Sequence, residues 1–202
     1  MSVKIIETGL ANIASVKAAF KRLGCDAELV TTPDQFGDED FLVLPGVGAF
    51  GPGIERLKAL GLAEPLRTRI AFGRPTLAIC LGMQMLAQTS DESPGVEGLG
   101  VFDVHVGAFP RTVNSPQFGW NQIRPTVSSS ALGEGGMVYF ANSYRIAEPL
   151  DGWDTAWCEY GGSFCAALSK GAVLACQFHP ELSGRYGSEM IENWLGQRRV
   201  QC

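Results

Sequence analysis

The sequence predicts an α/β protein in which a mixed, mostly parallel sheet carries helices on both faces. Apolar runs alternate with amphipathic helical segments through the first half of the chain, a pattern typical of parallel sheets. The second half is richer in β patterns. With 202 residues, 46% of them hydrophobic, the chain is long enough to bury a sizeable core. We therefore expect a single domain over residues 1–202.

The first half is predicted to supply four strands and the helices between them. The strands are Val3–Ile6, Ala27–Val30, Phe41–Leu44 and Thr76–Ile79. Asn12 is a suitable N-cap for a helix that presents Ile13, Val16, Phe20 and Leu23 on one face and ends at Gly24. Further helices are predicted at Ile54–Leu60, Leu62–Phe72 and Gly82–Gln88.

The second half is predicted to continue the sheet. Strand patterns occur at Val101–Val106 and Val138–Phe140, and Phe164–Leu168 with Ala172–Phe178 suggests a hairpin around Lys170 and Gly171. Glu189–Leu195 predicts a closing helix.

Composition excludes several functional classes. The net charge of −5 gives no reason to expect binding to nucleic acid or anionic lipid, and no apolar run is long enough to cross a membrane. Six scattered cysteines without a signal peptide favour reduced thiols and a cytoplasmic location. Because no cluster of cysteine and histidine has ligand spacing, we expect no metal and no cofactor.

Cys80 is a candidate nucleophile. It ends the strand Thr76–Ile79 and precedes Leu81 and Gly82, where a helix is predicted to begin. A side chain at such a turn projects above the carboxyl edge of the sheet, where backbone N–H groups at a helix start favour a thiolate and an oxyanion. The alternative is a cysteine that is merely buried after an apolar strand.

His179 and Glu181 are the candidate base and its orienting carboxylate. His179 follows an apolar run and precedes Pro180, which favours an extended backbone at the histidine. Glu181 could accept a hydrogen bond from one imidazole nitrogen while the other takes the thiol proton. The alternative is a loop histidine in solvent. His105, the only other histidine, is predicted to lie on a polar strand face.

The segment PGVGAF, residues 45–50, is a candidate oxyanion loop. Gly46 and Gly48 allow backbone conformations that turn a peptide N–H toward a ligand. The alternative is an ordinary glycine-rich turn. It is not a phosphate-binding loop, because the GxxxxGK[ST] pattern is absent.

These motifs together resemble the class I, triad-type glutamine amidotransferases. CLGMQ, HPE and PGVGAF occur in the family's order over the whole chain. The opening segment IIETGLANIASVKAAFKRLG, SPQFGWN, YFANSY and QFHPELSG resemble, in more detail, the glutaminase subunits of imidazole glycerol phosphate synthase. The resemblance implies the flavodoxin-like fold of that family.

The resemblance also implies roles for individual residues. Cys80 would attack the side-chain amide of glutamine, His179 would protonate the departing ammonia, and Glu181 would orient His179. The implied oxyanion and glutamine-binding residues are Gly46, Val47, Gly48, Leu81, Gly82, Gln84, Ser143 and Tyr144.

The implied partner is a cyclase subunit of (β/α)8-barrel type, which accepts ammonia through a channel and forms a heterodimer. The two products are imidazole glycerol phosphate, on the way to histidine, and an aminoimidazole carboxamide ribotide. In the family the oxyanion loop stays inactive until the partner binds its ligand. The edge near Cys80, His179 and Trp120 is the natural docking face, although Trp120 could equally be a core aromatic residue.

Two segments depart from the family pattern. The opening usually reads close to DYGMGN but here is ETGLAN, residues 7–12, and Asn142 replaces the histidine of HSY. Three alternatives therefore stay open: a related subunit that serves another synthase, such as one making amidino sugars of cell surfaces, a stand-alone cysteine peptidase or hydrolase, or a degenerate subunit that only regulates its partner.

Overall fold

The computed structural model describes residues 2–127 and 131–196. The strands are β1 (Val3–Ile6), β2 (Ala27–Val30), β3 (Phe41–Gly46), β4 (Thr76–Cys80), β5 (Thr89–Ser90), β6 (His105–Ala108), β7 (Gln117–Pro125), β8 (Gly136–Asn142), β9 (Tyr144–Ile146), β10 (Asp154–Glu159), β11 (Ser163–Lys170) and β12 (Val173–Cys176). The helices are α1 (Ile13–Arg22), α2 (Phe50–Ala59), α3 (Ala63–Ala71), α4 (Leu81–Gln84) and α5 (Gly184–Gly196).

Nine strands form one mixed sheet in the order β2-β1-β3-β4-β12-β11-β10-β7-β8. The first five strands of this order pair in parallel, and the remaining ones pair antiparallel. The hairpin predicted around Lys170 and Gly171 is formed by β11 and β12. The predicted fold class is confirmed.

Helices cover both faces of the sheet. On one face, Val16 and Phe20 of α1 and Trp194 of α5 pack against alternate residues of β1, β3 and β4. On the other face, apolar residues of α2 and α3 and the short α4 pack against the intervening strand residues. Burial on both faces explains why the central parallel strands β3, β4 and β12 are nearly continuous apolar runs in the sequence.

Asn12 caps α1 as predicted, since its side-chain oxygen accepts a hydrogen bond from the Ser15 N–H at 3.3 Å. Helix α2 begins four residues earlier than the predicted start, at Phe50. Its first N–H groups donate to Glu92 Oε2 at 2.7 Å and Ser93 Oγ at 2.9 Å. A loop 42 residues away thus supplies the cap, which the local sequence could not show.

The segment after Cys80 differs most from expectation. Helix α4 ends at Gln84 rather than Gln88, and the strand predicted at Val101–Val106 begins only at His105. The N–H groups of Val101 and Phe102 both donate to the Leu86 carbonyl and close a turn over the end of α4. The freed backbone of Thr89–Ser90 then pairs with β6 in a separate three-stranded sheet, β5-β6-β9.

The parallel strands place the candidate residues at one edge. In a parallel sheet all carboxyl ends meet at the same edge, and here β3, β4 and β12 end at Gly46, Cys80 and Cys176. Gly46 lies beside Cys80 in the β3–β4 register, and His179 follows β12 by three residues. Among the helices that the structure describes, none has both the length and the apolar character needed to cross a membrane.

Candidate active site

Cys80 occupies a sharp turn between β4 and α4. Its backbone has φ of 53° and ψ of −110°, and it is the one residue other than glycine with positive φ within 2–127 and 131–196. Such a conformation costs about 1–3 kcal/mol and persists only where the surrounding packing imposes it. The side chain is 7% exposed at the carboxyl edge of the sheet.

Close packing around Gly82 imposes the turn. A Cβ atom at Gly82 would lie 2.0 Å from the Leu44 carbonyl oxygen of β3, so only glycine fits. A Cβ atom at Gly46 would lie 3.0 Å from the Leu81 Cβ atom, which shows how tightly the end of β3 packs on α4. Helix α4 has only four residues, so it offers free N–H groups of a first turn, including that of Leu81, rather than a full helix dipole.

His179 is fixed opposite the cysteine by its backbone. The His179 N–H donates to the Tyr139 carbonyl at 3.0 Å, and the His179 carbonyl accepts from Ser183 Oγ at 2.6 Å. Ser183 Oγ in turn accepts from the Tyr139 N–H at 3.0 Å. These bonds connect β8 to the 3-10 helix Pro180–Leu182 and fix the backbone that carries the imidazole ring.

Cys80, His179 and Glu181 form one contiguous group. The imidazole Nδ1 of His179 lies 2.8 Å from Glu181 Oε1, and the imidazole is hydrogen-bonded to Cys80 on its other side. Because Nδ1 is engaged by Glu181, the ring nitrogen that faces the sulfur is Nε2. All three side chains are buried.

The electrostatics of the group favour a protonated imidazole. Burial by itself lowers the pKa of His179, but the hydrogen bonds to Cys80 and Glu181 and the negative charges on these partners raise the pKa to about 10. The arrangement can therefore hold a thiolate–imidazolium pair, which is the reactive form of a cysteine nucleophile.

The other titratable candidates lie elsewhere. Burial raises the pKa of Cys158 to about 11 and that of Cys165 to about 12, as expected for inert structural thiols. His105 lies on β6 of the small sheet, where it is exposed and contacts Thr89 and Asp91. Within the described ranges no group of three or more histidine, cysteine or acidic side chains could hold a metal ion.

The oxyanion-loop candidates Gly46, Val47 and Gly48 lie beside Cys80. The Val47 N–H donates to the Leu10 carbonyl at 2.7 Å, so it is occupied by the β1–α1 turn. Gly48 has φ of +102°, a value that side chains other than glycine rarely adopt. The loop is thus adjacent to Cys80, and one of its N–H groups, that of Val47, is engaged by the Leu10 carbonyl.

The glutamine-binding candidates Gln84, Ser143 and Tyr144 converge behind Cys80. Gln84 Nε2 donates to the Tyr144 carbonyl at 3.1 Å and to Gln177 Oε1 at 2.9 Å. Asn142 Nδ2 donates to the same Tyr144 carbonyl at 2.9 Å. The Ser143 carbonyl accepts from the Phe109 N–H at 3.2 Å. Asn142 therefore keeps a structural hydrogen bond in place of a titratable ring.

One contact of Cys80 was not predicted from the sequence motifs. Gln177, the first residue of QFHPE, is fully buried, and its Nε2 lies 3.8 Å from Cys80 Sγ. Gln177 lies one residue beyond Cys176, the register partner of Ile79. Its contact with Cys80 could not be inferred from spacing alone, because the direction of a side chain after a strand end depends on the local turn. Glu92, which caps α2 beside the oxyanion loop, was missed for the reason given above.

An exposed apolar face borders this site. We call it the apolar face; it consists of the exposed side chains of Phe118, Trp120, Met137 and Leu182 and of the half-buried Tyr139. Trp120 and Tyr139 are register partners on β7 and β8 with ring centroids 6.1 Å apart. Phe118 is 70% exposed and Trp120 is 49% exposed, so Trp120 is not a core residue. The Tyr139 carbonyl also accepts a hydrogen bond from the His179 N–H, which makes the face continuous with the group of Cys80, His179 and Glu181.

Comparison with known proteins agrees with these features. The glutamine amidotransferase class-I family matches residues 4–197. The imidazole glycerol phosphate synthase subunit HisH of Methanothermobacter thermautotrophicus is 40% identical over 96% of this chain and 97% of its own length. That of Symbiobacterium thermophilum is 36% identical over 95% and 92%, respectively.

A plant relative is longer than this chain. The chloroplastic imidazole glycerol phosphate synthase hisHF of Arabidopsis thaliana is 39% identical over 96% of this chain, which spans only 34% of the plant protein.

Solved structures share the fold. A glutamine amidotransferase structure superposes with a TM-score of 0.77 at 21% identity, covering 99% of this chain and all of the other. A glutamine amidotransferase from Thermotoga maritima superposes with a TM-score of 0.64 at 18% identity, covering all of this chain and 85% of the other. From the match over residues 4–197 and the full-length relatives, the chain belongs to the glutamine amidotransferase class-I family.

Proposed function

We propose that this chain is the glutaminase subunit of an imidazole glycerol phosphate synthase. It hydrolyses L-glutamine and delivers the ammonia to a (β/α)8-barrel cyclase, which makes imidazole glycerol phosphate and an aminoimidazole carboxamide ribotide. The observation that carries the proposal is the strained Cys80 turn facing the His179–Glu181 pair. The names of the full-length relatives support the choice of synthase.

The chemistry follows from the three side chains. The Cys80 thiolate attacks the side-chain carbonyl carbon of glutamine, and N–H groups of Leu81 and of the oxyanion loop stabilise the oxyanion. His179 Nε2 then gives its proton to the amide nitrogen, the C–N bond breaks, and ammonia leaves behind a thioester. A water molecule gives a proton to the neutral His179 and attacks the thioester, which releases glutamate and restores the thiolate–imidazolium pair. Glu181 keeps Nδ1 engaged throughout.

The resting loop is proposed to be inactive. With its N–H bound to the Leu10 carbonyl, Val47 offers no donor to the oxyanion. Ligand binding in the partner would favour a rearranged loop in which this N–H turns toward Cys80, and the backbone freedom of Gly48 permits the change. Such coupling prevents wasteful hydrolysis, because ammonia released into water becomes ammonium and is lost as a nucleophile.

The cyclase is proposed to dock on the apolar face. The face combines exposed aromatic and aliphatic side chains, the composition of an interface core. It borders the catalytic group from which ammonia must leave, so a partner seated there would receive ammonia without exposure to solvent. The plant relative, in which the matching segment occupies 34% of a longer hisHF chain, is compatible with such a pairing.

The test is release of glutamate from glutamine by the chain alone, and then with a purified cyclase subunit and its nucleotide ligand. We expect strong stimulation only in the complete mixture. Equal activity without the partner would instead identify a freely acting hydrolase. No activity with this partner would indicate another synthase or a degenerate subunit.

Substitution of the nucleophile separates catalysis from docking. Cys80→Ala should abolish glutamine-dependent synthesis and leave ammonia-dependent synthesis by the complex intact, because only the thioester step is lost. Cys25→Ala, a change at a half-buried thiol outside the site, is the matched control and should retain both activities. Loss of both activities in Cys80→Ala would place the defect in folding or docking and contradict the assigned role.

A further inference from the structure

We propose that Gln177 is a further catalytic residue, whose side-chain amide donates a hydrogen bond to the Cys80 sulfur, and that Gln84 is the positioning residue that aims it. The proposal rests on a line of buried amides behind the nucleophile. Gln177 Nε2 lies 3.8 Å from Cys80 Sγ, and Gln84 Nε2 lies 2.9 Å from Gln177 Oε1. Gln177 is 0% exposed and Gln84 is 5% exposed.

The direction of these hydrogen bonds is set by a backbone carbonyl. The Tyr144 carbonyl oxygen can only accept, so the Gln84 group that faces it at 3.1 Å must be the NH₂ end of the amide. The same NH₂ group donates to Gln177, which therefore turns its oxygen toward Gln84. The remaining NH₂ end of Gln177 is left facing Cys80. The Tyr144 carbonyl thus determines, through Gln84 and Gln177, that an N–H group faces Cys80 Sγ.

A donor at this place favours the anionic sulfur. A thiolate accepts hydrogen bonds well, whereas a neutral thiol accepts them weakly, so an N–H aimed at Sγ stabilises the charged form. His179 approaches the sulfur as well. Two donors at Sγ leave little freedom to the side-chain rotamer, which keeps the sulfur pointing to the position of the glutamine carbonyl.

Burial of the amides argues that they are not incidental. A buried amide without partners costs free energy, so a pair of glutamines within the core must hydrogen-bond to be tolerated. Here the pair is satisfied by one another, by Tyr144 and by the nucleophile. Asn142 Nδ2, at the end of β8, also donates to the Tyr144 carbonyl and helps to hold it in place.

The experiment measures alkylation of Cys80 by iodoacetamide in the free chain as a function of pH, with the modified peptide quantified by mass spectrometry. Gln177→Met keeps the length of the side chain but removes the hydrogen-bond donor. We expect the rate of alkylation near neutral pH to fall about tenfold and the pH profile of this rate to move to higher pH. A tenfold change is the size expected for the loss of one hydrogen bond to a charged group. Gln117→Met, which removes another buried amide on β7, is the matched control and should follow the wild type. A Gln177→Met profile that coincides with the wild type would overturn the proposal.

Gln177→Glu is a second variant that tests the same hydrogen bond in case Gln177→Met does not fold. It preserves the shape and can still accept from Gln84, but it sets a carboxylate against the thiolate, so alkylation should be slower than in the wild type. Wild-type rates in a folded Gln177→Glu, judged by circular dichroism and thermal unfolding, would also overturn the proposal.

Gln84→Met tests the positioning role. If Gln84 acts through Gln177, Gln84→Met slows alkylation, and adding it to Gln177→Met has no further effect. If Gln84 only binds glutamine, its variant changes the KM of the stimulated glutaminase and leaves alkylation unchanged, which would remove Gln84 from the proposal. Because alkylation needs neither glutamine nor a partner, the result stands apart from the proposed function, which the glutaminase assay tests separately.

Discussion

Cys80 and His179 illustrate how single side chains acquire unusual properties from their neighbours. Cys80 takes a backbone conformation otherwise found only at glycines in the described residues, because β3 and α4 pack too closely for any other path. His179 is buried, which disfavours its charge, yet Glu181 and Cys80 more than compensate. At Cys158 and Cys165, by contrast, burial dominates and raises the pKa of the thiol.

The charge on His179 can be measured directly. Because its pKa is raised to about 10, we expect His179 to remain protonated at about pH 8 and to lose its proton only as the pH rises further. Nuclear magnetic resonance of histidine-labelled protein can follow this, since the chain has only two histidines and His105→Asn assigns the signals.

Removing the charge of Glu181 should lower the pH at which His179 loses its proton. In Glu181→Gln the negative charge beside Nδ1 is lost, so the midpoint of His179 should fall by about one pH unit or more. Activity should fall less than in His179→Ala, since an orienting carboxylate contributes less than the base itself. An unchanged midpoint, or equal losses of activity, would refute the assigned pairing.

Gly82 tests the packing that creates the turn. In Gly82→Ala the new methyl group would overlap the Leu44 carbonyl, so β3 and α4 must separate. We expect the free energy of unfolding to fall by about 1–3 kcal/mol and stimulated glutaminase activity to fall with it. Gly196→Ala is the control, because a Cβ atom there meets nothing within 4 Å. Equal stability of both variants, measured by denaturant unfolding, would contradict this account.

At the scale of elements, the parallel half of the sheet could be predicted and the antiparallel half only in part. Strands β3 and β4 are continuous runs buried on both faces and lie between clear helix signals, whereas β1 includes Lys4 and the edge strand β2 is only partly buried. Strands β7 and β10 were not predicted. Along β7 the outward positions are occupied by Phe118 and Trp120, so the alternation of apolar and polar residues is lost.

The site was predictable to the same extent as the strands that carry it. Cys80 and His179 follow the ends of apolar runs, so their meeting at one edge could be expected from topology alone. The contacts between distant segments could not be predicted. Glu92 accepts a hydrogen bond from a residue of α2 that is 42 positions away, and Gln84 donates to Gln177, which is 93 positions away. No local pattern encodes such pairs.

Helix α2 links the oxyanion loop to the β1–α1 turn. Arg56 Nε donates to the Thr8 carbonyl at 3.0 Å, and Thr8 Oγ1 accepts from the Leu10 N–H at 3.1 Å. The carbonyl of this same Leu10 holds the Val47 N–H. Arg56 is therefore linked through Thr8 and Leu10 to the N–H group of Val47, and under the proposed function it tethers the turn that holds the loop.

Loosening this tether should raise the activity of the unpartnered chain. In Arg56→Met we expect glutaminase activity without the partner to rise about fivefold, the shift that loss of roughly 1 kcal/mol gives, and the stimulated rate to stay near the wild type. Lys58→Met, an exposed change two residues along the same helix, is the control. Unchanged unpartnered activity, with normal stimulation, would show that the turn does not set the resting state.

At the scale of the whole molecule, the two exposed aromatic regions have different surroundings. The apolar face lies next to Cys80, His179 and Glu181, and Trp120 within it packs near the start of α5. Phe72, at the end of α3, is 75% exposed but precedes β4, so it lies toward the opposite edge of the sheet from Cys80. Exposure alone therefore does not single out the proposed docking face, whereas its position beside Cys80 and His179 does.

A negative charge introduced at Trp120 or at Phe72 should show whether the cyclase docks on the apolar face or whether any charge on an exposed aromatic position weakens binding. In Trp120→Glu, a carboxylate replaces an aromatic side chain at the centre of the apolar face, so the Kd for the cyclase should rise at least about thirtyfold, as for an interface hot spot of roughly 2 kcal/mol. Phe72→Glu should leave this Kd unchanged. Isothermal titration calorimetry with the purified cyclase measures both, and activation by the partner should be lost in parallel with binding. If Phe72→Glu weakened binding and Trp120→Glu did not, the partner would have to dock at the opposite edge, and ammonia would have no direct path from Cys80 to its acceptor.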